Sequence, residues 1–220
     1  MRGDERTSAR EAGAAGGGVF GPPRFLETVK LRGGEYRHLR LHQARLERTW
    51  REAFGGAPGF RLSDFLPTPP DGGLYRARLS YPGPEGPPTA TLHPYSFPSL
   101  ETLKLVPDPG VDYRFKLLDR SALDALKASC GASDFVLVRD GGLTDSSIAN
   151  LVFEGDGGFF TPEGFLLRGV KWESLLESGR VGVRRIGPES LGLYRKAYFV
   201  NAMIDLEDDV SVPVSEILPL

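Results

Sequence analysis

Turn-forming residues cut this 220-residue chain into short pieces. It holds 28 glycines and 18 prolines. Proline can neither donate to a sheet ladder nor continue a helix, and glycine permits sharp turns. Between these breaks, apolar runs read as strands at 25–31, 74–81, 89–95, 100–106, 135–139, 181–186 and 197–201. After Gly33-Gly34, residues 36–39 could return as a further strand, and 150–154 with 158–161 read as a hairpin around Asp156-Gly157. Helical spacing covers 41–54, where Leu41, Ala44, Arg45, Leu46, Thr49 and Ala53 recur and Gly55-Gly56 ends the run. Shorter helices are expected over 121–128, after Gly169 and after Pro188. The pattern is α+β in two subdomains. Residues 1–19 are expected to be a disordered tail, 20–106 an N-terminal α+β subdomain, 107–112 a linker at Pro107-Asp108-Pro109-Gly110, and 113–220 a C-terminal α+β subdomain.

Several functions are disfavoured on composition. Lys+Arg number 27 against 29 Asp+Glu, a formal net charge of -2, with no block of like charge. Neither a nucleic-acid partner nor a polybasic membrane surface is expected. No apolar run approaches the ~20 residues of a membrane helix, and the start of the chain lacks a signal-peptide stretch. The one cysteine, Cys130, leaves no internal disulfide and no Cys-rich metal site. His38, His42 and His93 form no zinc-type pair with another ligand, so no metal is expected. A reduced, cytoplasmic setting fits these features.

Lys116 stands out among the six lysines. Its neighbours Phe115, Leu117 and Leu118 are apolar. Burial among such groups disfavours an ammonium and lowers its pKa, and a neutral amine can attack a carbonyl to form a Schiff base. The alternative is a surface lysine whose stem covers apolar neighbours. A second feature is Tyr75-Arg76-Ala77-Arg78-Leu79, in which basic and apolar residues alternate. On a strand Arg76 and Arg78 share one face, while Tyr75, Ala77, Leu79 and Tyr81 share the core side. The arginines then either sit in solvent or border a cleft and bind a substrate carboxylate.

Further segments follow in a distinctive order. They are His42-Gln43-Ala44-Arg45-Leu46, Lys116-Leu117-Leu118-Asp119-Arg120, Thr144-Asp145-Ser146-Ser147-Ile148-Ala149-Asn150-Leu151, Leu167-Arg168-Gly169-Val170-Lys171 and Val200-Asn201-Ala202-Met203. Together, over about 25–214, they resemble the class IV, or fold-type IV, pyridoxal-phosphate enzymes. These include branched-chain and D-amino-acid aminotransferases and 4-amino-4-deoxychorismate lyases. The resemblance implies a two-subdomain fold like that of D-amino-acid aminotransferase, pyridoxal 5'-phosphate as cofactor and a homodimer. Lys116 matches the Schiff-base lysine, and Arg45 the arginine that grips the cofactor phosphate. Asp145 matches the carboxylate that faces the pyridine nitrogen. Gly169, Val170 and Lys171 match the helix start that holds the phosphate. Leu167 matches a residue packed on the ring, and Asn201 and Ala202 a phosphate-side loop.

Each position also has a plainer reading. Arg45 could pair with Glu47 or Glu52 on a helix surface, Asp145 could cap a turn, Gly169 could merely start a helix, and Asn201 could satisfy backbone groups at a strand end. The chain departs from the family pattern at Asp145, where Glu is usual, at Ser146 for Gly, at Arg168 for Pro and at Lys171 for Thr. The family's Phe-Gly-Asp-Gly segment before the first strand is missing, which leaves Glu27-Thr28 as its echo and Thr28 as a candidate substrate contact. Lys-x-x-Asp-Arg and Asn-Ala-Met point within the family to a 4-amino-4-deoxychorismate lyase, which releases pyruvate and 4-aminobenzoate. The alternatives are an amino-acid aminotransferase, branched-chain or D-amino-acid, and a cofactor-free binding protein on the same scaffold. For either enzyme the partner is a small amino substrate bearing a carboxylate.

Overall fold

The computed structural model describes residues 24–70 and 72–220. The expected tail 1–19 and the subdomain start at residue 20 lie outside them.

β1 (Phe25–Arg32) alternates strictly. Phe25, Val29 and Leu31 turn to one face with Glu27, and Leu26, Thr28 and Lys30 turn to the other. Only Glu35–Tyr36 returns against it as β2. The expected strand over 36–39 stops short because His38 adopts a left-handed φ of 56°. Its carbonyl accepts hydrogen bonds from the Leu41 and His42 amides, so the chain turns into α1 (Leu39–Phe54) instead. β3 (Leu74–Tyr81) pairs antiparallel with β1, and β4 (Thr89–Pro94) pairs antiparallel with β3. The sheet order is β2-β1-β3-β4. Leu46 and Trp50 of α1 pack with Phe25, Val29, Ala77, Leu79 and Tyr81 in a first core. That packing uses one face of the sheet and turns Leu26, Thr28, Arg76 and Arg78 the other way.

The chain continues through β5 (Leu103–Pro107), α2 (Ser121–Ser129), β6 (Asp134–Arg139), β7 (Gly142–Ser146), β8 (Asn150–Gly155), β9 (Gly158–Pro162), α3 (Val170–Glu177), β10 (Gly182–Arg184), β11 (Tyr194–Val200), β12 (Ser211–Pro213) and β13 (Ile217–Leu218). These strands form two sheets, β10-β9-β8-β11-β12 and β13-β5-β6-β7. Leu103, Leu105, Val136, Leu151, Phe153 and Phe199 from both sheets bury one shared core.

β5 corrects the sequence-based division. Its alternation shows a strand, but the strand pairs in parallel with β6 and β13, not with the first sheet. The chain therefore leaves the first sheet at Pro94 and crosses over 95–102. Pro107-Asp108-Pro109-Gly110 is a strand-end turn inside the second half rather than a linker between halves. Asp108 accepts hydrogen bonds from the Gly110 and Val111 amides, and its own amide donates to the Val138 carbonyl. Among the described residues no helix is long and apolar enough to cross a membrane.

Candidate active site

A cleft of about 490 Å³ separates the open face of the first sheet from the second half of the chain. Lys116, Arg45 and Asp145 all line it.

The backbone of Lys116 is tied to the start of β1. Its carbonyl accepts from the Leu26 amide at 2.9 Å, and the Leu118 amide donates to Arg24 at 2.8 Å. This places the half-buried side chain between the halves. Burial pushes the amine down from 10.5 to about 7, and the nearby charges of Arg45, Arg120 and Arg78 act in the same direction against Glu27. Among the described residues Lys116 forms no ion pair.

Arg45 lies on the buried side of α1, so it is not the exposed charge paired with Glu47 or Glu52. Its Nε and Nη2 donate to the two carboxylate oxygens of Glu27 at 2.9 and 2.6 Å. This fork-to-fork geometry is the strong form of the contact. His42 Nδ1 donates to Glu27 Oε2 at 2.6 Å, which leaves its Nε2 buried without a partner. Burial alone would raise the Glu27 carboxyl, but the Arg45 charge and the bonds from His42 and Arg45 outweigh it and hold the group at about 2. Burial keeps His42 below its ordinary value despite Glu27.

Asp145 is the next-to-last residue of β7 and is buried. Its Oδ1 accepts from Asn150 Nδ2 at 2.9 Å, and its Oδ2 accepts from the Leu166 and Leu167 amides at 3.1 and 3.0 Å. Burial pushes its carboxyl up to about 7 although each of those bonds lowers it. The contacts also fix the 166–169 segment, because Asn150 Nδ2 donates again to the Leu167 carbonyl. At Gly169 a Cβ would fall 2.0 Å from Asn150 Oδ1, so any side chain there would force Asn150 to shift. α3 then begins with no side chain capping it, and Gly169 and Val170 border the cleft. A helix start with free amides favours an anion.

The other sequence-derived positions fall in two groups. Thr28, Arg76, Arg78, Leu167, Asn201 and Ala202 line the cleft. Asn201 has its side chain engaged locally: Oδ1 accepts from the Met203 and Ile204 amides, and Nδ2 donates to the Ile148 carbonyl. Lys171 does not line the cleft. Its ammonium pairs with Asp205, which also meets Lys30, so its side-chain charge is already compensated.

Arg120, Tyr113, Ser147 and Tyr95 also line the cleft and were not picked out as site residues. Arg120 Nη2 donates to the Ser147 carbonyl at 2.8 Å, and its guanidinium lies 5.9 Å from the Tyr113 ring centroid. The signal for Arg120 was present in the Lys116–Arg120 run. Tyr95 lies just beyond β4 on the crossover, which has no periodic pattern to mark it.

No protein-family model matches the chain. An uncharacterized protein of Haemophilus influenzae is 32% identical over 186 residues, which cover 81% of this chain and 97% of that protein. A solved structure from Haemophilus somnus, provisionally named a 4-amino-4-deoxychorismate lyase, is 26% identical with a TM-score of 0.72, over 86% of this chain and 100% of the other. A hypothetical aminotransferase from Mycobacterium tuberculosis, in its pyridoxal-phosphate-bound form, gives a TM-score of 0.70 at 18% identity over 90% and 82% of the two chains. A provisionally named branched-chain amino acid aminotransferase from Thermotoga maritima gives 0.66 at 17% over 89% and 77%. The last two likenesses carry the fold alone.

Proposed function

The chain belongs to the class IV, or fold-type IV, pyridoxal-phosphate enzymes, and from that premise we propose that it is a 4-amino-4-deoxychorismate lyase using this cofactor. The observation that carries the reading is the meeting of two oppositely perturbed groups in one cleft. Lys116 is a lysine held near 7 and Asp145 a carboxyl raised to about 7. Such pairs mark sites of proton transfer.

The residues suit the cofactor. The uncapped start of α3 and Arg45 offer donors for a phosphate. The Gly169 cradle leaves no room for a side chain at that start. Asp145 offers a buried acid for a ring nitrogen, and Leu167 an apolar surface for a ring. When bound, pyridoxal phosphate supplies a carbonyl for attachment and a conjugated ring that takes up an electron pair.

The chain's own contributions follow from its geometry. Lys116, whose amine burial favours in its neutral form, would be the group that attaches to that carbonyl and would afterwards hold or move a proton at Nζ. Asp145, held by Asn150 and the Leu166 and Leu167 amides, would share a proton with the ring nitrogen. Arg45, braced by Glu27, would hold the phosphate together with the α3 amides. In the lyase reaction Lys116 would remove a ring proton of the substrate, pyruvate would depart and the ring would become aromatic. No oxidant is needed.

The lyase assignment rests on the 26% identical Haemophilus somnus relative and on Lys116 and Arg120 of the lyase-like run, which both line the cleft. The second reading is an amino-acid aminotransferase, since Asp119 of the same run, counted toward the lyase, contributes nothing to the cleft. Its carboxylate accepts from the Ser121 amide at the start of α2, away from the cleft. Two assays separate the readings. The proposal expects 4-aminobenzoate from 4-amino-4-deoxychorismate. Amino transfer to 2-oxoglutarate without that product would establish the second reading instead.

A further inference from the structure

Two buried lysines, Lys30 and Lys171, lie beside the phosphate end of the cleft and do not line it. Lys171 stands in the first turn of α3, directly after the cleft-lining Gly169 and Val170. A cation there opposes the helix dipole, and burial adds a desolvation cost. Its side chain is nevertheless only 9% exposed, and that of Lys30 on β1 only 2%. Asp205 joins the two. Its Oδ2 accepts from Lys30 Nζ at 2.6 Å, and its Oδ1 meets the Lys171 ammonium. Among the described residues Asp205 is the one carboxylate paired with Lys171, whereas Lys30 also reaches Asp208 at 3.1 Å.

Asp205 is itself fixed. Its amide donates to Asp208 Oδ2 at 2.8 Å. The residue before it, Ile204, exchanges backbone hydrogen bonds with Asn201 at 3.1 and 3.2 Å. Those bonds close the turn whose Asn201, Ala202 and Met203 line the cleft. One carboxylate therefore ties together three pieces of chain: the start of α3, the 201–204 turn and β1. The first two supply cleft wall, and β1 is the strand that anchors Lys116 through the Leu26 amide. Burial raises the Asp205 carboxyl, but the bonds from Lys171 and Lys30 overcome it and keep the group below its ordinary value. The carboxylate is thus charged, and both pairs are intact, at neutral pH. Charge alone gives no reason for it. A negative group close to a phosphate site repels the ligand, and without it two ammonium groups would add their attraction. What the carboxylate supplies is a fixed position for the groups that would meet the ligand.

We infer that Asp205 is a positioning residue for the phosphate end of the cleft: through Lys171 it holds the start of α3, and through Lys30 it holds that edge against β1. The inference rests on the reading of this end as the phosphate site. It gives Lys171 a task other than contact with the ligand, and so accounts for a lysine where the family pattern has threonine.

Two roles for Asp205 predict opposite signs. If it only offsets charge, removing it makes the site more positive and tightens anion binding. If it positions α3, removing it weakens binding although the charge has become more favourable. The test titrates cofactor-free protein with pyridoxal phosphate, followed by absorbance, and with inorganic phosphate by calorimetry. Asp205→Asn is expected to weaken both by about tenfold, as when the outer partner of a ligand-binding group is lost. Lys171→Met should weaken both to a similar degree. The double variant should bind no more weakly than either single one, because all three lose the same tie. Glu207→Gln removes an equal charge from the same turn, where Glu207 pairs with Arg180, and should leave both affinities at the wild-type level. Tighter binding by Asp205→Asn overturns the inference. So does a double variant returned to wild-type affinity by cancelled charges, or a fall in melting temperature with affinities unchanged. If Asp205→Asn does not fold, the double variant, which leaves no unpaired ammonium at position 171, decides. Binding as weak as that of Lys171→Met then supports the inference, and wild-type affinity refutes it. A wild type that binds neither ligand refutes the phosphate reading itself, and the inference with it.

Discussion

Replacing Glu27 by glutamine tests the buried brace beneath the cleft. Glu27 is 1% exposed and Arg45 5%, so their pairing is made out of water. Holding the Glu27 carboxyl at about 2 rather than 4.5 corresponds to roughly 3 kcal/mol of stability. Because the carboxyl is depressed, that contribution is fully present above pH 4.5 and is lost as the pH falls toward 2. His42, also held below its ordinary value, loses stability on acidification in the same sense, beginning below 6.5. Glutamine keeps the shape but leaves Arg45 buried without its counter-charge, a change that typically costs about 3–5 kcal/mol. Against a total stability of about 5–15 kcal/mol for a folded domain, that loss is large. Urea unfolding of wild type and Glu27→Gln measures it near neutral pH and again at about pH 3, where the gap should narrow by roughly 2 kcal/mol. Pairing the change with Arg45→Met should cost less than the sum of the two single variants. A loss below about 1 kcal/mol, or a gap that does not change with pH, would refute the reasoning.

Two other outcomes follow from the cleft. Gly169→Ala places a methyl 2.0 Å from Asn150 Oδ1, so Asn150 must move and release Asp145. The variant should lose about 1–3 kcal/mol of stability and bind pyridoxal phosphate more weakly, both measurable by thermal melting with and without cofactor; unchanged melting and affinity would count against the contact. Attachment of pyridoxal phosphate should speed up as the pH rises through about 7 and level off above it, because Lys116 is depressed to that range and only the neutral amine attacks. Stopped-flow absorbance follows the rate, and a rise only near 10 would mean that the amine is not depressed.

Much of the fold was legible because its signals are local. The alternation of β3 runs between Gly72-Gly73 and Pro82, so its bounds at 74–81 follow directly. Helical spacing likewise fixed the inner face of α1. Placing β5 was another matter, because alternation identifies a strand without naming its partner. Leu103 and Leu105 face a core whose other members come from 136 to 217, and no local feature encodes that. Period two put Arg76 and Arg78 on one face, but only the packing of the second half decides between solvent and cleft. Glu27 was hidden for the same reason, since its partners His42 and Arg45 lie on a helix that reaches it only by folding back. Lys171 followed the family pattern in position, yet its side chain turned to Asp205, a residue 34 positions later.

The most direct test reduces the pyridoxal-phosphate-loaded protein with borohydride and maps the modified peptide. A visible absorption band before reduction, and a cofactor fixed on Lys116 afterwards, are the predicted results. Lys116→Ala should lose both while keeping the fold by circular dichroism. A label on Lys171, Lys127 or Lys30 in place of Lys116, or no label at all, would contradict the account.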